Sequence, residues 1–183
     1  MEQMSGISAP IADLKTLLKS ITFRNNAGQT IGLFSEVWNN HFKSLEDGTT
    51  YSFPLPAALI EVINPANYTQ LAFGITESDI TFRIHIGMEQ LDSGTGTMDE
   101  NLTIFALRDA VIAKLTYQEL TACSGLMKVS ENQDYNHDNL YVYTIDFVCS
   151  FIDDLGDTRR TQTASVPPTH LVLDTELVDK ITE

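Results

Sequence analysis

Basic residues are scarce in this sequence. Eleven Lys and Arg stand against 25 Asp and Glu, a formal net charge of −14 with histidines neutral. Sequence-independent binding to nucleic acid draws on clustered cations that displace counterions from phosphates. The one adjacent basic pair, Arg159-Arg160, sits close to Asp153, Asp154 and Asp157, so a conventional DNA-binding role is not expected. Cysteine is scarcer still. Cys123 and Cys149 cannot build a disulfide framework or a four-cysteine zinc site and read as reduced packing thiols. No apolar run approaches the roughly 18 residues that a membrane span needs. The opening Met-Glu-Gln-Met-Ser-Gly lacks the basic flank and apolar stretch of a signal peptide. The expectation is a cytosolic chain with no membrane partner, in which the sequons at Asn67 and Asn101 carry no meaning. What is present is a core: 43% of the 183 residues are apolar, enough for a domain that buries roughly 70% of the surface of its unfolded chain. No internal repeat and no separating linker is visible.

Along the chain, Ser8 can cap a helix from Pro10 to about Ile21, with Ile11, Leu14, Leu17, Leu18 and Ile21 at helical spacing. Ile31 to Trp38 favours a strand entering near Ser35, and Asn39 to Pro56 reads as a loop ending in an extended arm. Ala57 to Ile63 is apolar almost throughout, which suits a central strand covered on both faces. Asp79 to Ile86 alternates, with Ile80, Phe82, Ile84 and Ile86 on one side and Thr81, Arg83 and His85 on the other. After a Gly- and Ser-containing loop from Asp92 to Asp99, Asp99 or Asn101 can cap a second helix, roughly Leu102 to Tyr117, with an apolar stripe of Phe105, Leu107, Val111, Ile112 and Leu115. Leu126 to Glu131 and Leu140 to Ile152 flank a polar tip, Asn132 to Asn139, and predict a hairpin. Its second strand turns Tyr141, Tyr143, Ile145, Phe147, Cys149 and Phe151 one way and Val142, Thr144, Asp146, Val148 and Ser150 the other. The fold class expected is α/β (α+β): a ring-forming domain over residues 1–157, with a mostly antiparallel or mixed sheet of about five strands flanked by two main helices, then a C-terminal arm over 158–183.

No spacing demanded by a known chemistry stands out. Gly94-Thr95-Gly96 lacks the third glycine of a dinucleotide fingerprint, no Gly-rich loop ends in Gly-Lys-Ser or Gly-Lys-Thr, and no serine lies in a Gly-x-Ser-x-Gly elbow. The sharpest polar cluster is Asp134, His137 and Asp138 in the hairpin tip. It could reach one divalent ion, but Asp, Asn and His are also the usual residues of a solvated turn. His85, with Arg83 beside it, reads as a surface or interface histidine rather than a base. Asp146 reads as part of a half-polar strand face. Trp38 and the segment Phe53-Pro54-Leu55-Pro56 are rigid enough to anchor a neighbouring chain, or else fold back onto their own core. The expectation is a protein that is not an enzyme, with no catalytic residue, no cofactor and no metal.

The order helix, strand, strand, strand, helix, hairpin accompanies three stretches: Trp38-Asn39-Asn40-His41-Phe42, then Phe53-Pro54-Leu55-Pro56-Ala57-Ala58-Leu59-Ile60-Glu61-Val62, and later Asp138-Asn139-Leu140-Tyr141-Val142-Tyr143-Thr144-Ile145-Asp146-Phe147. Over roughly residues 8 to 153 this pattern resembles the tail terminator or tail completion (neck) proteins of tailed bacteriophages. The resemblance implies a virion protein assembled in the host cytoplasm as a homo-oligomeric ring, usually of six subunits with twelve as the other count. Such a ring caps the tail tube and joins it to the head connector while DNA passes through without specific binding. It carries over to regions: the loops from Asn39 to Pro56 and Asp92 to Asp99, the hairpin tip and the C-terminal arm would meet neighbours. Trp38, Phe53, Pro54, Arg83, His85, Asp134, His137, Asp138, Arg159 and Arg160 are the candidate assembly contacts. A bore lined with carboxylates would repel phosphates over a Debye length of about 8 to 10 Å, which gives the acidity a use. The alternative is a non-catalytic α/β scaffolding or interaction module of a related injection machine or a cellular complex.

Overall fold

The computed structural model describes residues 6–24, 30–48, 53–63, 67–89, 103–137 and 140–157. Helix α1 covers Ser8–Lys19, followed by a small antiparallel pair, β1 (Thr22–Arg24) and β2 (Thr30–Gly32). Next come β3 (Phe34–Val37), α2 (His41–Glu46), β4 (Ala57–Ile63), β5 (Thr69–Gln70) and a 3-10 turn at Ala72–Gly74. The long strand β6 (Thr76–Glu89), helix α3 (Thr103–Leu115) and the hairpin strands β7 (Met127–Asp134) and β8 (Leu140–Asp153) complete the order.

The main sheet has six strands in the order β3-β4-β6-β8-β7, with β5 pairing the first residues of β6. Among the described residues, only β3 and β4 run parallel, and every other pair is antiparallel. The fold is therefore mixed α+β, as expected, and the described residues hold one strand more than expected in the sheet and a third helix. Strands β6 and β8 form its spine, paired from Thr76↔Asp153 to Glu89↔Leu140. Because side chains alternate along a strand and residues opposite each other share a face, this register turns Ile80, Phe82, Ile84 and Ile86 to the same side as Cys149, Phe147, Ile145 and Tyr143. Ala58 and Ile60 of β4 extend that apolar surface, and Leu14 and Leu18 of α1 and Leu107, Val111 and Leu115 of α3 close over it. Both alternations read from the sequence hold.

Four local expectations change. Helix α1 begins at Ser8, with Ile7 at the capping position and no side-chain cap, so Ser8 lies in the first turn; buried Pro10 suits that turn because its missing N–H has no partner to lose. Helix α3 buries Leu107, Val111 and Leu115 of the expected stripe, but Ile104 is buried in place of Phe105, which is 43% exposed and meets Tyr143 edge-on at 6.3 Å. Strand β4 is covered on both faces only from Ala57 to Ile60; Glu61, Val62 and Ile63 are half-buried. The fourth change concerns the stretch expected to be a loop from Asn39 to Pro56. Its described part contains α2, entered through a left-handed Asn40 and anchored by fully buried Phe42. The loop from Asp92 to Asp99 and the arm from Thr158 lie outside the described residues.

Helix α2 seals one end of the opposite sheet face. Phe42 gathers Ala57, Leu59, Leu140 and Val142 into a second core, with Phe34, Trp38, Leu45, Phe53 and Leu55 around it. Gly87 in β6 makes this docking possible: a Cβ there would stand 2.3 Å from the Phe42 ring.

Candidate functional site: a polar row on the open sheet face

Beyond the edge of α2 the same face carries a row of polar side chains fixed by strand register. Glu61 in β4 lies opposite Arg83 in β6, which lies opposite Asp146 in β8, which lies opposite Ser130 in β7. Arg83 donates from Nε to Asp146 Oδ1 at 2.8 Å and from Nη2 to Oδ2 at 3.0 Å, the two-pronged geometry that makes guanidinium–carboxylate pairs directional. Ser130 Oγ donates to Asp146 Oδ2 at 2.7 Å, and Glu61 Oε2 lies 4.0 Å from Arg83 Nη1. The Arg83 guanidinium holds the Asp146 carboxyl below the usual carboxylate range, against the opposing effect of burial, and Asp146 in turn raises Arg83.

One step along the strands, His85 Nε2 sits 2.8 Å from Glu61 Oε2, and its ring lies flat against Trp38, centroids 4.1 Å apart and planes 6° from parallel. His85 is 8% exposed, so the expected surface histidine is covered by its own chain. Burial pushes its pKa below the ordinary imidazole value, while Glu61 pulls the other way.

The other candidates fall at the α2 end of the face. Asp134 accepts from the Asn136 backbone N–H at 3.0 Å and from Asn136 Nδ2 at 2.7 Å, the local bonding of a polar turn. His137 turns inward: Nδ1 lies 2.8 Å from Glu46 Oε2, Nε2 lies 3.6 Å from Asp134 Oδ2, and its ring meets Phe42 edge-on. Asp138 lies outside the described residues, as do Arg159 and Arg160. Among the described residues, no group of three or more His, Cys, Asp or Glu side chains is arranged to hold a metal ion. Trp38 and Phe53 fold back onto the chain, Phe53 stacking on Phe34 at 5.5 Å, while Pro54 stays exposed. Leu45, Glu46, Phe53, Leu55, Glu89 and Leu140 line an open cleft of about 390 Å³, and Glu46 Oε1 is buried there without a hydrogen-bond partner among the described residues.

The structure thus joins Arg83, His85 and Asp146 and leaves His137 apart, beyond the rings of Trp38 and Phe42. Sequence reasoning missed Glu61, Ser130 and Glu46. The signal for Glu61 was a lone carboxylate inside an apolar strand; Ser130 and Glu46 carried no such signal. The row links side chains across four strands, with the Arg83 guanidinium between the Glu61 and Asp146 carboxylates. The imidazole beside it, His85, is covered by the Trp38 indole. Among the described residues, no helix is long and apolar enough to cross a membrane. Comparison with protein-family models finds no match, and comparison with curated proteins finds no significant relative.

Proposed function

We propose that this chain is a structural subunit of the neck of a tailed bacteriophage. It would form an oligomeric ring that caps the tail tube and joins it to the head connector, with DNA passing through the bore. The observation that carries this reading is the unequal covering of one sheet. Among the described residues, two helices close one face, whereas the other is closed only at the α2 end and continues as the row Glu61–Arg83–Asp146–Ser130. An internally hydrogen-bonded polar surface on a 14-residue strand pair, with one guanidinium between two carboxylates, is suited to an interface formed late in assembly. It stays soluble in the free subunit and presents fixed donors and acceptors to a neighbour. Strands β3 and β7 stand at the sheet edges, with one pairing partner each among the described residues. An element that presents one surface to a neighbour and a different surface to the next builds a ring when the rotation closes. The net charge of −14 supports a bore that repels phosphate.

Light scattering across a concentration series, alone and then mixed with tail-tube and connector proteins, tests this reading. The expected result is a closed particle, most simply of six copies of the 20.4 kDa chain. A chain that stays monomeric in every mixture overturns it, and a ring with a neutral or basic bore overturns the proposed use of the acidity.

A further inference from the structure

The α2 cleft has the chemistry of a socket for an arginine. Its walls are apolar, from Leu45, Phe53, Leu55 and Leu140, and its polar groups are two carboxylates, Glu46 and Glu89. Apolar walls accept the aliphatic stem of a long basic side chain, and the carboxylates accept from its head. Glu46 spends Oε2 on His137 and leaves Oε1 buried and unbonded among the described residues. A guanidinium carries five donors and no acceptor, so it can satisfy that oxygen and Glu89 together.

The chain carries one adjacent basic pair, Arg159-Arg160, which begins two positions after the last described residue, Asp157. Its place in the fold decides which copy can deliver it. The cleft lies where β8 begins, at Leu140, and the arm leaves where β8 ends, at Asp153. At roughly 3.3 Å per residue these ends are about 43 Å apart. Gly156 is held at the far end, its carbonyl oxygen so close to Gly74 that a Cβ there would stand 2.3 Å away. Even counted from Asp153, six fully extended residues to Arg159 reach at most about 21 Å. The Arg159-Arg160 pair therefore cannot reach the cleft of its own subunit.

We propose that the cleft binds the Arg159-Arg160 segment of a second copy of this chain, head to tail. The inference rests on the ring reading and gives it a contact: each subunit would offer its socket at one end of β8 and its basic arm at the other. The two surfaces differ, so the contact repeats around a ring instead of ending at a dimer. In a chain of net charge −14, a local basic segment meeting a carboxylate cleft also fixes the register between copies.

The test is titration of a peptide of residues 155–166 into the full chain. The readout is fluorescence of Trp38, the only tryptophan, which packs in the same cluster as Phe53 and Leu55. Saturable binding is expected. It should weaken by at least about tenfold when the peptide carries Arg159→Glu and Arg160→Glu, and by a similar factor when the chain carries Glu89→Arg. Equal binding of the two peptides, or binding of neither, overturns the inference. The mass of the full chain is read separately. A closed ring that ignores both substitutions sinks the contact and leaves the ring standing, whereas peptide binding without any closed particle does the reverse.

Discussion

Strands β6 and β8 present two faces built from one register, and the two faces are held by different physics. On the side of α1 and α3, Ile80, Phe82, Ile84, Ile145 and Phe147 are all buried, and the binding is non-directional: any apolar group of the right volume would serve, at a cost set by the cavity or strain it leaves. On the other side, Arg83 and Asp146 interlock through two bonds of 2.8 and 3.0 Å with Arg83 still 37% exposed. Water competes for those groups, so their contribution to stability is modest while their demand on geometry is high. The first face decides whether the domain folds. The second decides what shape it shows when folded.

That division can be broken most forcefully from the covered side. Phe147→Ala removes a fully buried ring and is expected to cost roughly 3 to 5 kcal/mol in a urea titration; a cost below about 1 kcal/mol would mean that α1 and α3 do not hold the sheet. Asp146→Ala strips Arg83 and Ser130 of their shared acceptor. The expected loss is about 1 to 2 kcal/mol, because solvent reaches the abandoned guanidinium. Association should fall far more than the melting temperature; a loss comparable to that of Phe147→Ala would make the row part of the folding core.

The smallest effect belongs to His85, and its sign follows from burial. The folded imidazole binds its proton less readily than the unfolded one. Stability is therefore complete above the ordinary imidazole pKa of about 6.5 and declines as pH falls below it, until the folded group also protonates. Asp146, held low by Arg83, stays ionised through this range and loses its contribution only below about pH 4. Between pH 7 and 5.5 the expected result is a falling urea midpoint that is absent in His85→Gln. A midpoint that rises over this interval would mean that Glu61 outweighs burial.

The faces of β6 and β8 were legible because alternation is local: each residue's side is fixed by its neighbours two positions away. Partnership across the sheet was not, since the register that brings Glu61 to Arg83 depends on residues 22 positions apart, and that of Arg83 with Asp146 on residues 63 apart. Helix α2 escaped notice because six residues with Asn39-Asn40 before them and Asp47-Gly48 after them carry the composition of a loop, and only Phe42 is fully buried. His85 was assigned to the right face and the wrong environment: nothing around it announces that Trp38, on a different strand's end, lies across its ring. Phe105 shows the converse limit. Its apolar character predicted burial, but the turn of α3 puts Ile104 against the sheet instead.

Gly87 carries a consequence for how this surface can change over time. Its φ is not among the positive values found at Gly6, Gly48 and Gly74, so its backbone would admit any residue, and the restriction comes wholly from the Phe42 ring resting where a side chain would begin. Positions 42 and 87 thus behave as a single unit of inheritance. Alanine at 87 expels the ring, loosens α2 and opens the cleft beside it, whereas the same alanine beside a smaller residue at 42 restores the fit. A substitution that looks neutral in the strand would be felt at the socket, several side chains away.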